Sequence, residues 1–178
     1  MAKFDITIQN IVASVNLNTK IDLDKVVKHL EGTEYEPEQF PGIVYRFKDP
    51  KVATLIFSSG KIVVTGARTV DDVNKVVKKL AKLLKDGGIA NPKSPTIQVE
   101  NIVASAKLNM ELNLDKIAFD LENSEYEPDQ FPGLVYRMSD PKCAFLLFSS
   151  GKVVCTGART IEEVESAVKT VSKRLKKL

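Results

Sequence analysis

Tryptophan is absent from this 178-residue chain, histidine occurs once and cysteine only twice. One histidine, His29, and no CxxC spacing leave no candidate zinc centre, and two cysteines cannot build a disulfide framework. Cys143 and Cys155 each stand 91 positions after a valine, Val52 and Val64, so both read as small core-filling side chains. No apolar run approaches the ~20 residues that a membrane-spanning helix needs. The opening MAKFDITIQN lacks a basic head followed by an apolar stretch, so no secretory leader is expected and a cytoplasmic location is. Charge of one sign is scarce too. The net charge is +3, carried by residues 1–90 (14 basic, 11 acidic), while residues 91–178 balance at 12 and 12. That excess is too small to announce a nucleic-acid partner by itself.

Catalytic sets are also missing. The two SSGK turns lack the GxxxxGK[ST] spacing of a phosphate-binding loop. Glu34, Glu36 and Glu38 form a carboxylate cluster, but no base, nucleophile or metal set accompanies them. The chain is not read as an enzyme, and no cofactor or metal is expected. What remains is ordinary globular composition, 43% hydrophobic and 28% charged, in a length that suits one domain or two small ones.

The chain does contain itself twice. FSSGKIVVTGART at Phe57–Thr69 returns as FSSGKVVCTGART at Phe148–Thr160. From Glu34 to Thr69, 27 of 36 positions are identical 91 residues later, and NIVAS occurs at Asn10–Ser14 and Asn101–Ser105. The expected organisation is a duplicated half-domain, residues 1–91 and 92–178, joined by the Gly- and Pro-bearing linker DGGIANPKSPT at Asp86–Thr96.

Each half carries the same local signals. FDITIQNIVASVNL alternates and is β-rich. A short helix follows at Leu23–Leu30 or Leu114–Leu121, with Asp22 or Asn113 as N-cap. Strands are expected at Ile43–Phe47, Val52–Phe57 and Ile62–Thr65 and 91 residues on, and EYEP could add a small edge strand. Thr69 and Thr160 open long helices, the second with a Glu at the third position as in a capping box. Their apolar stripes are Val73, Val76, Val77, Leu80, Leu84 and Val164, Ala167, Val168, Val171, Leu175. The order β-α-β-β-β(-β)-α, twice, predicts an α+β fold in which two pseudo-symmetric repeats share one antiparallel sheet with helices on one face.

A sheet with one wet face alternates apolar and polar. These strands do not. Thr54, Ile56, Ile62 and Val64 lie on one parity, and Ala53, Leu55, Phe57, Val63 and Thr65 on the other. Two helices per unit cover a single face, so an apolar, charge-poor face is left for a partner. A dimer partner is the plain alternative.

EYEPEQFPGIVYR, IFSSGKIVVTGAR and the doubled NIVAS resemble the conserved C-terminal core of the TATA-box-binding protein family, over essentially the whole chain and in both halves. Without the long N-terminal extension of eukaryotic members, the resemblance is to the archaeal type. It implies a saddle-shaped, ten-stranded antiparallel sheet with four helices on the convex face, the concave face resting on the DNA minor groove. It further implies a general transcription initiation factor that bends A/T-rich promoter DNA.

By matching position, Phe40, Phe57, Phe131 and Phe148 become the wedges that enter base steps, in pairs because two kinks are made, one at each end of the site. A lone Phe would otherwise read as core. Asn10 and Asn101 match the pair that hydrogen-bonds groove acceptors. The apolar floor of Val12, Leu55, Val63, Val103, Leu146 and Val154 offers no acceptor to the amino group that a G·C pair adds, while Thr65 and Thr156 can hydrogen-bond and stay small. An interior strand Asn is otherwise a bulge or edge feature. Arg46, Ser59, Lys61, Arg68, Arg137, Ser150, Lys152 and Arg159 match phosphate-contacting positions; singly, each is also a solvated surface group. Glu127 and Asp129 match loop positions that meet transcription factor B, the first-copy Glu36 and Glu38 having the chemistry without that assignment.

Implied partners are double-stranded A/T-rich promoter DNA, transcription factor B and the RNA polymerase pre-initiation complex, in a nucleoid-associated setting. A homodimer through the concave face is left open. So is a scaffold that buries another protein there, which is the main alternative outside DNA binding. Two departures stand out. Glu100 replaces the first copy's Gln9, so it either points away from the DNA or makes the half-sites unequal. The ending SKRLKKL also lacks the acidic tail common in archaeal relatives.

Overall fold

In the computed structural model residues 4–178 are described. Among them are β1 (Thr7–Asn16), α1 (Leu23–His29), β2 (Ile43–Lys48), β3 (Lys51–Ile56), β4 (Lys61–Ala67), α2 (Val70–Asp86), β5 (Thr96–Lys107), α3 (Leu114–Asp120), β6 (Ser124–Glu125), β7 (Leu134–Ser139), β8 (Lys142–Leu147), β9 (Lys152–Ala158) and α4 (Ile161–Lys176). The fold is α+β. Two compact units form, one of Asn10–Glu100 and one of residues 4–9 with Asn101–Leu178. Their strands are antiparallel, ordered β2-β3-β4-β1 in the first unit and β5-β9-β8-β7-β6 in the second.

Among the described residues nine strands are present where ten were expected. β6 pairs with β7 through Ser124↔Tyr136 and Glu125↔Val135, whereas the first repeat has only the single bridge Glu34↔Val44. The Ser124 hydroxyl donates to Leu121 O at 2.7 Å, tying β6 to the end of α3. Thr33, its counterpart, makes no such bond.

Helix starts follow their caps. Asp22 accepts from the N–H of Asp24 and Lys25, and Asn113 from Lys116. Thr69 and Thr160 accept from Asp72 and Glu163 at 3.0 Å each. The capping box closes one residue early, since Glu163 Oε1 accepts from the N–H of Arg159 at 3.3 Å. Each cap satisfies a donor that the first helical turn leaves orphaned, worth about 1 kcal/mol.

The covered face is packed as the parity predicts. Ile11, Ile43, Ile56, Ile62 and Val64 are at most 1% exposed and pack with the α2 stripe Val73, Val76, Leu80 and Leu84. In the second unit Ile102, Leu134, Phe145, Leu147 and Val153 pack with Val164, Ala167, Val168 and Val171 of α4. Burying each Val, Leu or Ile stabilises by about 1.5–3 kcal/mol, so these stripes fix each helix on its sheet. Thr54 is the polar exception on the strands, and its hydroxyl donates to Tyr45 O at 2.8 Å. Cys143 and Cys155 are buried core thiols; a hydrogen bond with Cys143 and burial push the Cys155 thiol well above its ordinary range.

The SSG loops set the ends of the face. Phe57 and Lys61 bracket Ser58-Ser59-Gly60, with Phe57 N donating to Lys61 O at 3.0 Å and Gly60 N to Phe57 O at 3.0 Å. Gly60 takes φ +92°, which closes this three-residue hairpin loop. A Cβ there would lie 2.0 Å from Thr19 O, and at Gly151 (φ +91°) 2.1 Å from Met110 O. Both clashes are with backbone, so no side chain can yield. Gly60→Ala and Gly151→Ala should each cost at least ~2 kcal/mol, read as a lowered denaturant midpoint with unchanged slope.

Candidate nucleic-acid interface

Strand register lays out the face that no helix covers. In the first unit Val44 pairs with Leu55, Leu55 with Val63 and Val63 with Ser14, making an apolar row that ends in a hydroxyl. A second row runs Arg46, Ala53, Thr65. The other unit repeats both, as Val135-Leu146-Val154-Ser105 and Arg137-Ala144-Thr156. Val12, Leu55, Val63, Val103, Leu146 and Val154 are all partly exposed, while their strand neighbours of opposite parity are buried. Val44, Val135, Ala53, Ala144, Ser14 and Ser105 belong to this face although position matching did not select them. Strand register was the signal that could have found them.

Just past the ends of β3 and β8, each unit carries a pair of phenyl rings. Phe40 and Phe57 meet edge to face at 5.7 Å between centroids, and Phe131 and Phe148 at 6.0 Å. Phe40 is 39% and Phe131 42% exposed, with Phe57 and Phe148 partly exposed. These rings are not core residues. The turns presenting them are closed by one carbonyl: Glu36 O accepts from the N–H of Gln39 and Phe40 at 2.9 Å, and Glu127 O from Gln130 and Phe131 at 2.9 and 3.0 Å. Pro37 and Pro128 follow those carbonyls, where a fixed φ suits the turn.

The ladders are irregular between Ile11 and Ala13 and between Ile102 and Ala104, just after Asn10 and Asn101. Asn10 Oδ1 accepts from the Gly66 N–H at 2.6 Å, and Asn101 Oδ1 from Gly157 at 2.6 Å. The bulge explains why an Asn stands mid-strand. Because a backbone N–H can only donate, it also fixes the amide's orientation. The amino groups turn toward Thr65 Oγ1 (3.4 Å) and Thr156 Oγ1 (3.2 Å), long bonds that leave donor capacity to spare.

Basic groups stand on the rim in two states. Arg46 is paired with Glu34, and Arg137 with Glu125 at 3.3 Å, all four side chains well exposed. Such exposed pairs contribute about 0–1 kcal/mol and are easily exchanged. Lys61, Arg68, Lys152 and Arg159 are exposed and carry no ion pair among the described residues. Ser59 and Ser150 accept from the N–H of Lys61 and Lys152 at 3.4 and 3.3 Å, within the hairpin loops. Glu127 and Asp129 are exposed in the Phe131 turn. Glu100 Oε2 accepts from Ser14 Oγ at 3.4 Å, and Glu100 lines a groove of about 750 Å³ with Ser14, Phe57, Lys61 and Val63. No cluster of metal-ligating side chains occurs among the described residues.

The geometry defines a class: a duplicated α+β protein whose sheet offers an uncharged apolar floor, paired aromatic edges and a basic rim. The family described as "Transcription factor TFIID (or TATA-binding protein, TBP)" matches residues 5–87 and again 96–178. The chain is 50% identical to a TATA-box-binding protein of Thermococcus kodakarensis (99% of this chain, 93% of that one). It is 53% identical to one of Thermoplasma volcanium (97% and 95%). The solved structure of Methanococcus jannaschii TBP superposes with a TM-score of 0.92 at 48% identity, covering 97% of this chain and 99% of that one. The chain belongs to the TATA-box-binding protein family, and its relatives named here are archaeal.

The phenyl pairs need the glycine beneath them. A Cβ on Gly42 would lie 2.9 Å from both Phe40 Cε2 and Phe57 Cε1, and one on Gly133 2.7 Å from Phe131 Cε2. Gly42→Ala should retain the fold but part the rings, so NOEs between the Phe40 and Phe57 ring protons weaken while far-UV circular dichroism is unchanged.

Proposed function

We propose that this chain is a general transcription initiation factor acting in the cytoplasm on nucleoid DNA. It binds the minor groove of A/T-rich promoter DNA through the open faces of its two units and kinks it with Phe40/Phe57 and Phe131/Phe148. The observation that carries this reading is the repeated apolar floor, Leu55-Val63 and Leu146-Val154, edged in each unit by a half-exposed phenyl pair. An apolar floor suits a groove already narrow and poor in donors. The rings are rigid, so entering a base step costs them little entropy. Unstacking costs on the order of a few kcal/mol per step, offset by the extra surface that bent DNA contacts. The amino groups of Asn10 and Asn101 supply donors for adenine N3 and thymine O2.

The rim bases then neutralise phosphates. Glu127 and Asp129 offer transcription factor B an acidic tip beside one wedge, and the resulting complex recruits RNA polymerase. A homodimer of the free protein through the same face would compete with DNA.

Duplex binding tests each part. Phe57→Ala and Phe148→Ala should each weaken binding to an A/T-rich duplex ~10-fold or more and reduce the bend seen by end-to-end energy transfer. Unchanged binding in both variants rejects the wedges and favours a protein partner on this face. Asn10→Asp keeps the acceptor for Gly66 N–H but removes the amide donor, so it should fold normally and bind ~10-fold more weakly. The slope of log K against log[salt] should be about −3.6 if only the four unpaired bases engage, steepening to about −5.4 if Arg46 and Arg137 leave their carboxylates.

A further inference from the structure

The two repeats differ in sign of hydrogen bonding at one place on the open face. In one unit Gln9 Nε2 donates to Ser105 Oγ at 2.9 Å. At the matching place in the other the direction is reversed, with Ser14 Oγ donating to Glu100 Oε2 at 3.4 Å. Glu100 Oε1 is shielded from solvent and has no donor at all. Lys61 lines the same groove, yet Glu100 makes no ion pair among the described residues. Glu100 is thus an acceptor short of donors, set where its counterpart holds an amide that both donates and accepts.

That difference has a direct reading in a minor groove. An A·T pair presents only acceptors, adenine N3 and thymine O2, whereas a G·C pair adds the guanine N2 amino donor. A glutamine can meet A·T acceptors with its own N–H groups. A carboxylate cannot, and lone pair faces lone pair. A guanine amino group would supply a second donor to Glu100 Oε2, which takes only the long bond from Ser14. The rest of the floor is apolar or carries neutral amides and hydroxyls, so a carboxylate's preference is confined to this one place.

We propose that Glu100 is a specificity-determining residue: it makes the half-site read by the Asn10–Glu100 unit accept a G·C pair at one step, while the mirror step beside Gln9 demands A·T. The proposal rests on the DNA-binding reading above and deepens it, since it gives the near-symmetric protein an intrinsic direction on its site.

The test is a scan of an A/T-rich duplex in which each step in turn is replaced by G·C, with affinities measured for wild type, Glu100→Gln and Gln9→Glu. Glu100→Gln is isosteric and keeps an acceptor for Ser14, so a melting curve matching wild type is expected. In the wild type one step should tolerate G·C ~10-fold better than its mirror. Glu100→Gln should remove that tolerance and raise affinity for the all-A/T duplex, and Gln9→Glu should create tolerance at the mirror step. A Glu100→Gln profile identical to wild type overturns the proposal. So does an equal gain on every duplex, which would show only relief of charge repulsion, or a gain that disappears when the cation is changed. Failure of the wild-type protein to bind any of the duplexes overturns the DNA reading itself, and this proposal with it.

Discussion

Two helices per repeat cannot roof both faces of a sheet. That constraint governs the rest of the molecule. The strands are apolar on both parities, so once α2 and α4 have settled on Ile62, Val64, Val153 and their neighbours, Leu55, Val63, Leu146 and Val154 remain at the surface. A chain that keeps such a face uncovered in water must find it a partner or avoid its own copies. The rim helps with the second task. Lys61, Arg68, Lys152 and Arg159 place unpaired positive charge around a face whose floor is uncharged.

The details of the open face show how few residues serve two ends. Asn10 and Asn101 each satisfy a glycine N–H at a bulge with one end of the amide and offer donors with the other. Gly42 and Gly133 are needed because phenyl rings occupy the space a Cβ would fill. Glu36 and Glu127 act through their backbone carbonyls, holding the turns that carry Phe40 and Phe131, whatever their carboxylates meet. In each case the local structural requirement and the surface role fall on opposite ends of one residue.

Most of the fold was legible because duplication tests each local reading twice. Helix stripes, caps and strand parity all recur 91 residues apart, and errors of propensity seldom repeat in register. What was not legible depended on three-dimensional register. The missing tenth strand turns on whether Ser124 or Thr33 finds a carbonyl at the end of a short helix, which no pattern encodes. The ion pairs of Arg46 and Arg137 required knowing that Glu34 and Glu125 lie across an edge. Val44 and Ser14 joined the open face only once pairing placed them beside Leu55 and Val63. Glu100 was visible as an anomaly, but its direction became plain only from its bond to Ser14.

On the reading proposed above, duplex DNA covers the apolar faces of the two units rather than meeting the basic rim alone. Isothermal titration of an A/T-rich duplex at several temperatures tests this most directly, because burial of apolar surface makes the heat capacity of binding negative. The account predicts a ΔCp on the order of −0.5 kcal/mol/K, as burying about 1,000 Å² of apolar surface requires. A ΔCp near zero, with affinity carried wholly by salt-sensitive contacts, would contradict it.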